Sequence, residues 1–117
     1  MSKRDWKILF EDIIESINKI EKYIKDLSFE DFSYSSLIID AVVRNIGIIG
    51  EASKNIPLEI QDKFKDIPWQ KIKGIRNRIV HEYFAVDISI IWYIVQNELE
   101  PLKNSLTRHL KEDKETP

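Results

Sequence analysis

The chain has 117 residues, 43% of them hydrophobic and 32% charged, with a formal net charge of −2. This size suits one domain with a modest core, and the composition excludes a disordered or membrane-embedded chain. The absence of Cys excludes disulfides and thiolate metal sites, and we expect a cytoplasmic protein that makes no contact with a membrane.

Helix breakers are scarce, with 3 Gly and 4 Pro, and no alternating strand pattern is present, so we predict an all-α protein. Apolar residues at three- and four-residue steps predict a first long helix near residues 4–27. Residues 33–36 resemble a helix start, and the second helix should run to about Asn55 and stop at Pro57.

The second half of the chain continues the helical pattern. A short helical turn is predicted near residues 58–64, and a third long helix from Pro68 to about Phe84. Asp87 resembles the N-cap of a last helix, which Pro101 should kink or interrupt.

These elements predict an antiparallel up-and-down bundle of four to five helices. Residues 1–110 should form a single domain, followed by a charged tail over 111–117. His109 stands in a polar stretch, and we expect it to be solvated.

A narrow charged stripe runs along the second helix, opposite its isoleucines. It comprises Asp40, Arg44, Gly47 and Glu51. One interpretation is a solvent face with an Asp40–Arg44 pair. The other is that Gly47 and Gly50 let a second helix approach closely, so that the stripe borders a site.

The third long helix carries a basic strip without a carboxylate between residues 66 and 82. Such strips are usually solvated, but they also contact RNA or phosphate. The strip consists of Lys71, Lys73, Arg76 and Arg78.

Arg76 falls in the middle of the apolar face of this helix, between Ile72 and Ile79. A guanidinium there keeps its charge, and an unpaired buried charge is very costly. Arg76 should therefore meet a carboxylate, with Asp40 and Glu51 as candidates, or a phosphate, or a cleft.

His81 is the second candidate catalytic residue. On a continuous helix it lies about 140° from Arg76, next to Asn77 and Arg78. Either the helix loosens before His81, or a second subunit completes the cleft. The alternative is an ordinary surface histidine.

An Arg and a His together suit metal-free cleavage of RNA. The His can move a proton at the ribose 2′-OH or the leaving oxygen, and the Arg can hold the phosphate. One chain supplies a single plausible His for a reaction that needs both a base and an acid, which a dimer would resolve. We expect no metal site and no cofactor.

Residues 76–84, Arg-Asn-Arg-Ile-Val-His-Glu-Tyr-Phe, resemble the signature of HepT-like proteins in the HEPN superfamily. Residues 40–52 resemble that family's second helix, and Ile67-Pro68-Trp69 and the region of Trp92 also match. The resemblance implies a dimeric HEPN-like bundle that acts as a ribonuclease toxin in a prokaryotic type VII-like toxin–antitoxin system.

The resemblance also implies residue roles. Arg76 and His81 would be catalytic, supported by Asn77. The expected partner resembles the minimal nucleotidyltransferase MntA, an antitoxin that adds AMP to the motif tyrosine, here Tyr83. From its position alone, Tyr83 could instead pack in the core.

Two other functions stay open. The chain could be a non-catalytic helical dimer that serves as the regulatory or substrate-binding partner of a nucleotidyltransferase. It could also bind a nucleotide, with Arg76 and Lys73 holding the phosphates.

Overall fold

A computed structural model describes residues 5–82 and 87–115, apart from the side chains of residues 76, 78, 80–82, 114 and 115. The described residues form helices and no strand, which confirms the predicted all-α fold. The helices are α1 (Trp6–Ile24), α2 (Phe29–Ser33), α3 (Ser36–Lys54), α4 (Leu58–Lys63), α5 (Trp69–Glu82), α6 (Ile88–Asn97) and α7 (Leu99–Glu115).

Five of these helices have ten or more residues, while α2 and α4 have five and six. The predicted short turn near 58–64 corresponds to α4. Helix α2 was not predicted from the sequence. A capping box fixes its start, because the Ser28 hydroxyl accepts from the Asp31 backbone while the Asp31 carboxylate accepts from the Ser28 backbone.

Local capping sets two of the predicted helix starts. The Ser35 hydroxyl accepts a hydrogen bond from the Ile38 backbone at the start of α3, within the predicted 33–36 segment. Asp87 is the N-cap of α6 and accepts from the Ser89 backbone, as predicted. Hydrogen bonds from the side chain and the backbone of Ser89 lower the pKa of the Asp87 carboxyl.

The predicted interruption of the last helix lies at Glu98, three residues before Pro101. Here α6 ends and α7 begins, so Pro101 falls in the first turn of α7, where its missing N–H is not required. Helix α7 then continues to Glu115, and Asp113 forms an ion pair of 2.6 Å with Lys7 of α1. Residues 111–115 therefore extend the helix.

The core lies where α1 packs against α3 and α7, and where α3 packs against α5. Each fully buried large apolar side chain contributes roughly 1.5–3 kcal/mol to the free energy of unfolding relative to an exposed one. The side chains with no exposed surface include Phe10, Ile13, Ile17, Ile20, Phe32, Val42, Ile91 and Leu106. None of the helices in the described ranges is long and apolar enough to cross a membrane.

The two faces of α3 differ as the helical wheel predicts. Asp40, Arg44 and Glu51 are exposed, while the isoleucine face is buried. A Cβ built on Gly47 meets no described atom within 4 Å. Packing among the described residues therefore does not require a glycine at position 47.

Candidate active site along helix α5

Three hydrogen bonds fix the start of α5. The Trp69 indole N–H donates to the carbonyl oxygens of Gln61 at 3.2 Å and Phe64 at 3.1 Å, at the end of α4. The buried Gln61 amide in turn donates to the carbonyl of Ile56 at 2.8 Å. The Trp69 ring packs against Phe10 of α1, so the first turn of α5 is held from two sides.

Helix α5 is unbroken from Trp69 to Glu82, so Arg76 and His81 belong to the same continuous helix. Five residues at 3.6 residues per turn place the two positions about 140° apart around the axis. The first sequence alternative, a helix that loosens before His81, is therefore wrong.

The position of Arg76 lies on the face of α5 that carries buried isoleucines. Ile72, one turn before it, and Ile79, three residues after it, are 5% and 2% exposed. The side chains of Arg76, Arg78 and His81 lie outside what the structure describes, and Tyr83 lies outside the described residues altogether. The roles assigned to these four residues remain predictions.

The supporting residues are placed as follows. Asn77 is exposed, and so are Asp40 and Glu51 on α3. Lys73 is partly buried, and its ammonium donates to the Gln61 side-chain oxygen at 3.4 Å. Pairing of Arg76 with Asp40 or Glu51 remains a prediction, as does contact between Lys73 and phosphate.

A cavity of about 350 Å³ lies beside the first half of α5. Its wall includes isoleucines of α3 and α5 and leucines of α7. Its lining also includes Lys71 and Glu98, which form an ion pair with 2.9 Å between Nζ and Oε1. This hydrogen bond with Glu98 raises the pKa of the Lys71 ammonium.

Glu98 keeps one oxygen without a partner. Its side chain is 18% exposed, and Oε2 is buried without a hydrogen-bond partner among the described residues. Buried polar atoms are usually hydrogen-bonded, so an exception calls for a physical explanation. Glu98 was not predicted from the sequence, because no local pattern marks a residue that meets Lys71 through the tertiary fold.

Asp66 contributes to the lining of the same cavity, and both of its carboxylate oxygens are paired. His109 Nε2 lies 2.8 Å from Oδ1 and 3.0 Å from Oδ2, and Arg108 donates to Oδ2 at 2.7 Å. Burial alone would raise the pKa of the Asp66 carboxyl, but the hydrogen bond and charge of His109, together with the Arg108 guanidinium, lower it overall.

The expectation that His109 is solvated is wrong. His109 is 8% exposed, and its ring packs against Phe64 with 4.3 Å between centroids. Its Nδ1 lies 3.7 Å from Oε2 of Glu112. The sequence spacing indicates this burial, because Leu106 lies four residues after Leu102 and His109 three residues after Leu106, which places all three on the apolar face of α7.

Within residues 5–82 and 87–115, no group of three or more His, Asp or Glu side chains is arranged to hold a metal ion.

Comparison with known proteins identifies relatives over almost the whole chain. This chain is 39% identical over 110 residues to "Gamma-glutamylcyclotransferase and putative RNase" of Methanocaldococcus jannaschii, and the match covers 94% of this chain and 50% of that relative. The chain thus spans half the length of this relative. It is 38% identical over 106 residues to "Probable ribonuclease HepT" of Thermococcus cleftensis, covering 91% of this chain and 96% of the relative.

A further relative is "Putative RNase" of Caldanaerobacter subterraneus, 36% identical over 104 residues, with 89% of this chain and 93% of that protein covered. No solved structure matches the chain significantly. The family model described as "Ribonuclease HepT-like" matches residues 13–108. The chain belongs to the HepT-like family.

Proposed function

We propose that this protein is a metal-independent endoribonuclease that acts as the toxin of a type VII-like toxin–antitoxin system. Membership of the HepT-like family carries the proposal, because the motif Arg-x-x-x-x-His-x-Tyr lies within the matched residues. Both motif positions, Arg76 and His81, belong to the continuous helix α5.

The proposed reaction is attack of a ribose 2′-oxygen on the adjacent phosphorus. The bond from phosphorus to the 5′-oxygen breaks, leaving a 2′,3′-cyclic phosphate and a 5′-hydroxyl. His81 would take the 2′-OH proton or deliver one to the leaving oxygen. Arg76 would hold the phosphate and stabilise its developing charge, with Asn77, Lys73 and Arg78 on the same helix.

A second copy of the chain would solve the geometric problem at the site. Arg76 and His81 lie about 140° apart around α5, and the reaction needs both a base and an acid. A two-fold dimer with α5 near its axis would bring two Arg and two His around one groove. Light scattering should therefore report a dimer at tens of micromolar protein and moderate salt, whereas a monomer would contradict this part of the proposal.

Regulation is proposed to act at Tyr83, seven residues beyond Arg76. AMP transferred to its oxygen by an MntA-like nucleotidyltransferase would add an anionic phosphate beside the basic strip and compete with the RNA backbone. After coexpression with such an enzyme, mass spectrometry should show an AMP-sized increase that is absent from Tyr83→Phe. An increase that survives in Tyr83→Phe, or none in either protein, removes Tyr83 from this role.

One observation favours a second candidate function. The separation of Arg76 from His81 around an unbroken helix also suits a non-catalytic dimer that serves as the partner of a nucleotidyltransferase. RNA cleavage distinguishes the two functions, since the partner hypothesis predicts none.

The decisive assay incubates purified protein with labelled RNA in chelator and compares wild type with His81→Ala. The matched control is His109→Gln, which changes the other histidine and keeps a donor for Asp66. Wild type and control should cleave and leave a 2′,3′-cyclic end, whereas His81→Ala should not. Metal dependence or a 3′-hydroxyl product would contradict the mechanism.

A further inference from the structure

The cavity beside α5 combines apolar walls with the Lys71–Glu98 pair, the carboxylate of Asp66 and the polar side chains of Asn97 and Ser105. Its walls include Ile49 of α3, Ile72 and Ile75 of α5, and Leu102 of α7. A volume of about 350 Å³ lies at the lower end of the range for ligand pockets. It suits a single flat ring system.

The charged pair defines a pattern of donors and acceptors. The Lys71 ammonium donates, the Glu98 Oε1 beside it accepts, and Oε2 is an acceptor without a partner among the described residues. An unpaired buried carboxylate oxygen carries a desolvation penalty that a donor from a ligand would offset. Oε2 is shielded from solvent, so this contact requires rotation about the terminal torsion of Glu98, which is soft.

Guanine is the nucleobase that fits this pattern. Its Watson–Crick edge presents an acceptor, O6, followed by two adjacent donors, N1–H and the 2-amino group. Adenine and cytosine place an acceptor beside their single amino donor, and uracil flanks its one N–H with two carbonyl oxygens. Each would set an acceptor against the carboxylate.

We propose that this cavity is the base-binding pocket of the protein and that it selects guanine in single-stranded RNA. Lys71 faces O6, Glu98 accepts from N1–H and the 2-amino group, and the isoleucines contact the ring faces. This inference rests on the proposed function, since it names the base recognised in the RNA substrate.

The pocket lies close to the proposed catalytic residues. Ile75 lines it and is followed directly by Arg76. His81 lies six positions beyond Ile75 on the same helix, a rise of about 9 Å. A guanine in the pocket therefore places its own phosphates near the motif half of α5, and cleavage should occur next to guanosine.

The first experiment measures nucleoside binding, which requires no catalysis. Isoleucine-methyl spectra of the full chain are recorded during titration with guanosine, inosine, adenosine, cytidine and uridine. Guanosine should shift the methyls of Ile72, Ile75 and Ile94 and leave Ile13 of α1 unmoved. Affinity for adenosine, cytidine and uridine should be about 10- to 100-fold weaker than for guanosine. Inosine, which lacks the 2-amino group, should fall between.

Two variants test the carboxylate. Glu98→Gln replaces one acceptor with a donor and should weaken guanosine binding about 10- to 100-fold. Glu100→Gln removes the same charge from an exposed position outside the cavity and should bind like wild type. Absence of saturable shifts with guanosine, equal binding of all four bases, or unchanged binding by Glu98→Gln overturns the inference.

Cleavage mapping on RNA of mixed sequence separates this inference from the proposed function. Cuts next to guanosine that become unselective in Glu98→Gln support both. Cleavage without base preference, combined with no guanosine binding, overturns the pocket and leaves the ribonuclease standing. Selective guanosine binding by a protein that cleaves no RNA leaves the pocket standing and overturns the ribonuclease.

Discussion

Two carboxylates contribute to the cavity beside α5, and their surroundings differ. Both oxygens of Asp66 are paired, with His109 Nε2 at 2.8 and 3.0 Å and Arg108 at 2.7 Å. Glu98 has one oxygen 2.9 Å from Lys71, while the other is buried without a hydrogen-bond partner among the described residues. The two carboxylates thus differ in that both oxygens of Asp66 are paired while Glu98 has an unused acceptor, although Nδ1 of His109 is also buried without a hydrogen-bond partner.

The difference separates a structural cluster from a binding site. Asp66 joins α7 to the segment just before α5, and with Phe64 and Trp69 it fixes where the motif helix begins. Glu98 lies at the junction of α6 and α7, and its unused acceptor suits a ligand. The helix that carries the proposed catalytic residues is thus anchored on one side of the cavity and open to a base on the other.

The largest loss of stability should come from truncating an aromatic side chain that packs beside the start of α5. Phe64→Ala removes a side chain that is 7% exposed and contacts Trp6, Phe10 and His109. Urea unfolding should show a loss of about 3–5 kcal/mol in the free energy of unfolding. Phe29→Ala, at a phenylalanine that is 42% exposed, is the control and should lose much less. Equal losses would mean that the aromatic cluster does not anchor α5.

Removing the paired histidine should have the next largest effect. His109→Ala deletes a buried hydrogen bond to a charged carboxylate and should reduce the free energy of unfolding by about 1.5–3 kcal/mol. Arg108→Ala removes an exposed partner of the same carboxylate and should cost no more than about 1 kcal/mol. If the arginine variant loses more stability than the histidine variant, the cluster depends on surface charge.

The pH dependence of stability should single out Asp66. Its pKa is lowered in the folded protein, so its contribution is present above the unfolded value of about 3.9 and is lost as pH falls through the folded pKa. In unfolding curves measured from pH 6 down to pH 2, wild type should exceed Asp66→Asn at the upper end, and the gap should shrink towards the acid end. A gap that is constant with pH would show that Asp66 acts without its charge.

The smallest effect should come from adding a methyl group at a helical glycine that has open space beside it. A Cβ at Gly47 or Gly74 meets no described atom within 4 Å. Gly47→Ala should therefore raise the free energy of unfolding of the isolated chain by about 0.5–1 kcal/mol through helix propensity. Gly74→Ala on α5 is the matched comparison. A loss of stability at Gly47 alone, with weaker self-association in light scattering, would indicate close approach of a second copy there.

The helices were predictable because the signals that set them are local. Caps at Ser35 and Asp87 and apolar periodicity act within a few residues, and the structure reproduces those starts. The single-turn α2 was not predicted, although the capping box at its start, Ser28 and Asp31, is also a local signal.

The cavity was not predictable from the sequence, because it depends on contacts between distant residues. Lys71 and Glu98 meet only through the tertiary fold. His109 gave a readable signal through its spacing from Leu102 and Leu106, but its polar neighbours in sequence suggested solvent. Residues 76–83 carry the motif from which the family was recognised, and the roles of Arg76, His81 and Tyr83 remain predictions.

Whether catalysis depends on α5 is decided by the RNA cleavage rate of His81→Ala beside wild type and His109→Gln, with thermal unfolding confirming that all three are folded. We expect a loss of about 100-fold or more in His81→Ala, because a general acid or base is removed, and near wild-type cleavage in His109→Gln. Wild-type cleavage by folded His81→Ala would contradict the assignment of catalysis to α5.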